Sequence, residues 1–269
     1  MRFKLILLIK PDTFGNILPA SYQYELSSCI FRKMTENNLL YSHWMRMNGF
    51  IESDNLQHRL FSISNFYIPH IKVEQDRLYL LTKRIQVWIS FLPERGTKEF
   101  VESVFTNTTL LIGDKKSRVN FYVEQITAST EEPTEYNMQY LSLSPIVFSC
   151  IRPNRSVEYI NPHSDEYQEI MKQSILNKYK ILYGKEFPHE NNWDFKILSE
   201  PKRKGIFIKR FTPNETKVIG YMYKFGIQMH PILQKIIYHT GLGDKINLGF
   251  GCIEILKNTT PVQNPINKS

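Results

Sequence analysis

At 269 residues the chain is long enough for one large domain or two of about 130 residues, and with 42% apolar residues it can bury a sizeable core, which argues against disorder. Thirty-four Lys and Arg against 26 Asp and Glu leave a formal charge of +8, an excess that attracts polyanions. Cys29, Cys150 and Cys252 are far apart and form no CxxC pair. That argues against a disulfide framework or a zinc site and leaves them as small buried hydrophobes.

The opening Arg2–Lys10 holds an apolar run interrupted by Lys4 and closed by Lys10, with no small-residue cleavage site after it. It reads as a first strand buried on both faces rather than as a signal peptide. Pro11 to Pro19 reads as a loop. From Ser21 to Thr35, Tyr24, Leu26, Ile30, Phe31 and Met34 recur at helical spacing, and a second helix over Leu39–Asn48 stops at Gly49. Strands are expected at Arg59–Phe66, Arg77–Leu81 and Ile85–Phe91, a helix at Thr97–Phe105, and extended segments at Thr109–Ile112 and Val119–Ile126.

Ala128 to Asn137 is polar, acidic and contains Pro133, the composition of a linker. Beyond it a strand over Gln139–Ile151 leads to a helix over Ser164–Leu182, with Ser164 as N-cap and Asp165 and Glu166 in the first turn. Strands at Phe195–Leu198, Ile206–Arg210 and Lys217–Gln228 follow, then a helix over Pro231–Tyr238, a glycine-rich turn, a last strand over Gly251–Leu256 and a frayed tail. The order is β-α-β-β-α-β, twice: an α+β chain of two tandem ferredoxin-like domains, 1–127 and 138–258. No apolar run reaches the roughly 20 residues that span a bilayer, so a soluble cytoplasmic chain that binds no membrane is expected.

The turn Gly241-Leu242-Gly243-Asp244-Lys245-Ile246-Asn247-Leu248-Gly249-Phe250-Gly251 has four glycines in eleven residues. Such a turn either cradles phosphate oxygens with successive amides, Lys245 adding a charge, or merely reverses the chain. It lacks the Gly-Lys-Ser/Thr ending of a Walker A loop, and it follows a helix and precedes a strand, the reverse of a dinucleotide-binding turn.

Gly241-x-Gly243, Lys245, Asn247 and Gly249-Phe250-Gly251 resemble the C-terminal glycine-rich loop of the repeat-associated RNA-binding (RAMP) superfamily. They resemble more narrowly its CRISPR repeat-processing endoribonuclease. Pro19–Leu26, Leu60–Ser64 and Leu141–Ile146 look similar to that family's segments in the same order. The resemblance implies tandem ferredoxin-like domains and metal-independent cleavage of repeat RNA by 2′-hydroxyl attack, leaving a 2′,3′-cyclic phosphate, with no cofactor. Implied partners are precursor CRISPR repeat RNA and subunits of an interference complex, and a homodimer stays open. The family's catalytic histidine lies shortly before a glycine ending the second helix, so the resemblance points to His43 as general acid or base, with Arg46 one turn on. Tyr41 and Lys33 are further candidates, and His58 is the reserve. Two departures keep a non-cleaving RNA-binding member as the alternative: an ungapped match puts Met45 or Arg46 at the catalytic place, and Phe31 stands where some members carry a tyrosine. For RNA grip the turn's Gly241, Gly243, Lys245, Asn247, Gly249 and Gly251 join a basic cluster, Lys202, Arg203, Lys204, Lys209 and Arg210. Lys83, Arg84 and Trp88 form a second patch.

Overall fold

Strict alternation makes Arg2–Ile9 (β1) the centre of the first sheet: Phe3, Leu5, Leu7 and Ile9 are buried on one face, while Lys4, Ile6 and Leu8 are half-buried on the other. The strand is therefore one-sided, not buried on both faces as its apolar run suggested. The computed structural model describes residues 1–50, 60–189 and 192–256. His58, Arg59 and the tail lie outside the described residues.

After β1 the expected loop contains a short helix α1 (Pro11–Phe14) and strand β2 (Ile17–Pro19). Helix α2 (Gln23–Thr35) buries Leu26, Cys29, Ile30 and Met34, each large aliphatic contributing about 1.5–3 kcal/mol. Then come α3 (Asn38–Met47), β3 (Phe61–Ile63), β4 (Ile71–Glu74), β5 (Arg77–Leu80), β6 (Arg84–Phe91), α4 (Thr97–Phe105), β7 (Thr109–Gly113) and β8 (Arg118–Ser129). The main sheet has the order β3-β6-β1-β8-β7 with antiparallel neighbours, and β2, β5 and β4 form a separate small sheet. Set aside the edge strand β7, and the order is 2-3-1-4 of a β-α-β-β-α-β unit, the ferredoxin-like arrangement.

The second half repeats it. Strand β9 (Asn137–Ser142), hairpin β10 (Ser149–Ile151) with β11 (Val157–Tyr159), α5 (Tyr167–Tyr183), β12 (Asp194–Ile197), β13 (Lys202–Ile208), β14 (Thr216–Met222), β15 (Lys224–Gln228), α6 (Pro231–Thr240) and β16 (Ile253–Ile255) follow in order. The sheet runs β12-β15-β9-β16, again 2-3-1-4. One apolar cluster runs from Phe3 to Val123 and another from Tyr140 to Ile253.

Three further expectations differ. Lys217–Gln228 is two strands of two sheets, parting at Tyr223, and Gln139–Ile151 breaks after Ser142, where Pro145 cannot donate to a ladder. Ser164 does not cap α5: the cap position is Glu166, and the Ser164 carbonyl accepts from the Tyr167 amide instead. Among the described residues, no helix is long and apolar enough to cross a membrane.

Candidate nucleic-acid interface

Helix α3 begins where Asn37 accepts a hydrogen bond from the Leu40 amide, and it ends at Asn48 and Gly49, the latter at φ +79°. Asn48 pins that end, donating to the Arg95 carbonyl and accepting from the Glu94 and Arg95 amides. The helix's rotation is set by aromatic packing. Trp44 stacks on Phe100 with centroids 4.3 Å apart, and its Nε1 donates to Thr97 at 3.0 Å. With Tyr41, Trp44 and Met45 turned inward, His43 and Arg46 are left exposed, three residues apart on the outer side. Met45 is fully buried, so of the residues near the catalytic place by resemblance only His43 offers an accessible imidazole.

Tyr41 corrects one expectation. It is 2% exposed, wedged among Phe31, Trp44 and Phe100, and has no surface on which to orient a ribose. Lys33 keeps part of its side chain in solvent and pairs with Glu36 at 2.8 Å.

The glycine-rich turn is a larger correction. Gly241, Gly243, Gly249 and Gly251 are buried, and several of the turn's amides are already spent. Leu242 donates to Gly251, Asp244 to Val147, Gly249 to Ile246 and Gly251 to Pro145, all at 3.0 Å or less. The glycines are needed for close approach instead. A Cβ on Gly243 (φ +100°) would stand 2.4 Å from the Val147 carbonyl oxygen, and one on Gly249 (φ +88°) 2.6 Å from that of Gln23. Ser27 of α2 donates to the Asn247 carbonyl at 2.9 Å, so the turn seats the second unit on the first. Asn247 is exposed and Lys245 half-buried, so both reach the surface.

Lys202, Arg203 and Lys204 are exposed at the start of β13, where the strand runs past the apolar contacts of Ile206 and Ile208. The β13–β14 hairpin reaches over to the first unit: the Phe207 amide donates to Ser21, and Arg210 pairs with Asp76 at 2.7 Å. Lys209 is exposed at φ +52°. The second patch is weaker than expected, because Arg84 is held bidentately by Glu124 at 2.6 and 2.7 Å.

Sequence reasoning missed the polar contacts that join the two units. Arg2, 1% exposed, lies over the Tyr238 ring at 4.0 Å, donates to the Ile253 carbonyl at 2.5 Å and meets Glu254 at 2.9 Å. His239, fully buried, contacts Ser90 through Nδ1 at 2.9 Å and Glu132 through Nε2 at 3.1 Å. Glu132, inside the expected linker, thereby docks it. A carboxylate only accepts, so Nε2 carries the proton and Nδ1 accepts from the Ser90 hydroxyl. Burial pushes His239 down to about 4, while the hydrogen bond from His239, helped by Lys235, holds Glu132 at about 2.

A histidine with a depressed folded-state value loses stability as pH falls from its unfolded value near 6.5 toward about 4. Between about pH 7.5 and pH 5 the loss is about 2 kcal/mol. The difference between wild type and His239→Gln in urea denaturation at the two pH values measures it, because Glu25 and the Met1 amine also titrate in this window. An equally steep dependence in the variant rules out this source.

Residues 128–255 match the family model described as CRISPR associated protein Cas6, C-terminal. Over 264 residues the chain is 24% identical to the CRISPR-associated endoribonuclease Cas6 of Pyrococcus furiosus, covering 97% of this chain and 92% of that protein. It is 21% identical to the putative CRISPR-associated endoribonuclease-like protein Cas6nc of Pyrococcus horikoshii, over 96% and 100%. A solved structure from a Cas6-related gene of Pyrococcus furiosus superposes with TM-score 0.77 at 22% identity, covering 96% of this chain and 99% of that one. A RAMP protein described as binding different RNA substrates superposes at 0.76 with 20% identity, over 96% and 100%.

Proposed function

We propose that this chain is a Cas6-type RAMP endoribonuclease that cuts CRISPR repeat RNA, a reading supported by the match of residues 128–255 to the Cas6 C-terminal family model. The observation that carries the reading is the accessible His43 on the helix closed by Gly49, in a chain similar from end to end to a Cas6 endoribonuclease. We divide it into domains at 1–127 and 138–258, residues 257–258 lying outside those described.

Cleavage by the neighbouring ribose needs no metal. The 2′-oxygen attacks the phosphorus, the 5′-oxygen of the next nucleotide leaves, and the products are a 2′,3′-cyclic phosphate and a free 5′-hydroxyl. One proton leaves the attacking hydroxyl and one reaches the departing oxygen. An imidazole suits either transfer because its ordinary value of about 6.5 lies near working pH. Arg46, on the same outer side of α3, supplies charge to the phosphorane, and Lys33 is the further candidate for that role once Glu36 releases it. Lys202, Arg203, Lys204 and Lys209, with Lys245 and Asn247, hold the backbone of the repeat. Passing the product to subunits of an interference complex belongs to the same reading.

A non-cleaving RNA-binding member is the second reading, favoured by Phe31, which has no hydroxyl, and by the burial of Tyr41. Incubation with repeat RNA in EDTA separates the two. The expected result is one cut per repeat with a cyclic phosphate end; tight binding without any cut favours the second reading.

A further inference from the structure

Where the start of α2, the β7–β8 turn and the β13–β14 turn meet, two carboxyls line a cleft of about 390 Å³. That size falls within the roughly 300–1,000 Å³ of small-ligand sites. The two carboxyls differ in their partners. Asp114 accepts from Arg77 at 2.7 Å and from the amides of Lys116 and Ser117 at 2.9 and 3.0 Å, which hold it below the usual carboxylate range against its burial. Its role is structural. Glu25 has a buried Oε2 that no donor reaches; burial, with Asp114 nearby, pushes it up to about 7.

Arg210, in the same cleft, has the matching defect. One of its nitrogens meets Asp76, while its Nε is buried without an acceptor. Exposed Lys115, Arg118 and Lys209 also line the cleft and give it a positive surplus, and Tyr24 adds a half-buried ring. An orphaned acceptor and an orphaned donor in one cleft call for a ligand that offers both partners, because buried polar groups left unmade are costly.

The edges of the RNA bases differ in how well they meet that demand. Guanine presents N1–H and N2–H side by side, with the O6 acceptor next to them. One carboxylate accepts both donors and a guanidinium N–H reaches O6. Adenine and cytosine set an amine beside a bare ring nitrogen, whose lone pair repels the second carboxylate oxygen. Uracil offers a single N–H between two carbonyls.

We propose that this cleft is a guanine-selecting subsite for bound RNA, in which Glu25 accepts from N1 and N2 and Arg210 donates to O6. The proposal rests on the RNA-binding reading above and adds base selection to it. Phosphates flanking the base lie within reach of the basic rim, and Tyr24 offers a ring against which the base can stack.

The test is binding of the full chain to fluorescent uridine 11-mers carrying one central guanosine, inosine, adenosine or uridine, at about pH 8. Guanosine is expected to bind about tenfold tighter than uridine or adenosine. Inosine, which lacks the N2 amine, loses most of that advantage. Glu25→Gln, checked for an unchanged melting temperature, brings the guanosine-to-uridine affinity ratio to about one. Because the carboxylate form is the acceptor, the wild-type ratio shrinks as pH falls below about 7. Equal affinity for the four oligomers, or a ratio that survives Glu25→Gln, overturns the subsite while leaving RNA binding intact. Failure of all four to bind at low salt overturns the RNA-binding reading, and the subsite with it.

Discussion

His43→Ala lowers single-turnover cleavage of repeat RNA by roughly 100- to 10,000-fold, the usual worth of a positioned proton-transfer group, and leaves RNA affinity within about twofold. The two readouts separate because His43 adds one ring to a surface whose proposed grip comes from lysines and arginines. The helix itself is not at stake: His43 is exposed and its neighbours Tyr41, Trp44 and Met45 supply the packing, so alanine there leaves α3 in place. Cleavage at the wild-type rate by this variant removes His43 from the reaction, and the search then moves to Arg46 and Lys33. Loss of binding together with cleavage makes His43 a contact for the RNA rather than a proton carrier.

Arg2→Ala has the largest expected effect on stability, although Arg2 is far from the proposed chemistry. Its guanidinium sits between the two units, meeting the Glu254 carboxylate, the Ile253 carbonyl and the face of Tyr238. Removing one member of a buried ion pair typically costs about 3–5 kcal/mol, because the other charge stays behind without a partner. The side chain of Glu254 is 27% exposed and can rehydrate, which puts the expected loss near 3 kcal/mol. Urea denaturation followed by tryptophan fluorescence measures it. A loss below about 1 kcal/mol means the junction is held by its apolar contacts and the glycine-rich turn rather than by this arginine.

Much of the architecture was legible along the chain because it rests on local periodicity. Helical spacing in Tyr24, Leu26, Ile30 and Met34 reflects side chains sorted by the face they occupy, and the Ile, Val, Trp and Tyr content of Arg77–Leu81 and Ile85–Phe91 marks strands. Where the reading failed, the deciding event was not local. The residues after Lys217 run on in strand-like fashion, and nothing in them tells that β14 pairs with β13 while β15 joins the sheet of β9 and β12. The candidate site divides in the same way. His43 and Arg46 are candidates by resemblance, from their place before Gly49, and the fold leaves both exposed, but the inward turn of Tyr41 depends on Phe31 and Phe100, which belong to other helices.

By itself the sequence determined the element order, the twofold β-α-β-β-α-β pattern, the basic surplus and the places where glycine is required, since each follows from composition or from spacing along one segment. Only the tertiary structure decided what the glycines of Gly241–Gly251 are for. The amides of Gly249 and Gly251 go to Ile246 and Pro145 and that of Asp244 to Val147, and the glycines' missing side chains make room for Gln23 and Val147. An amide can be given to a ligand only if the fold has not already claimed it, and that depends on segments that are distant in sequence and brought together by burial.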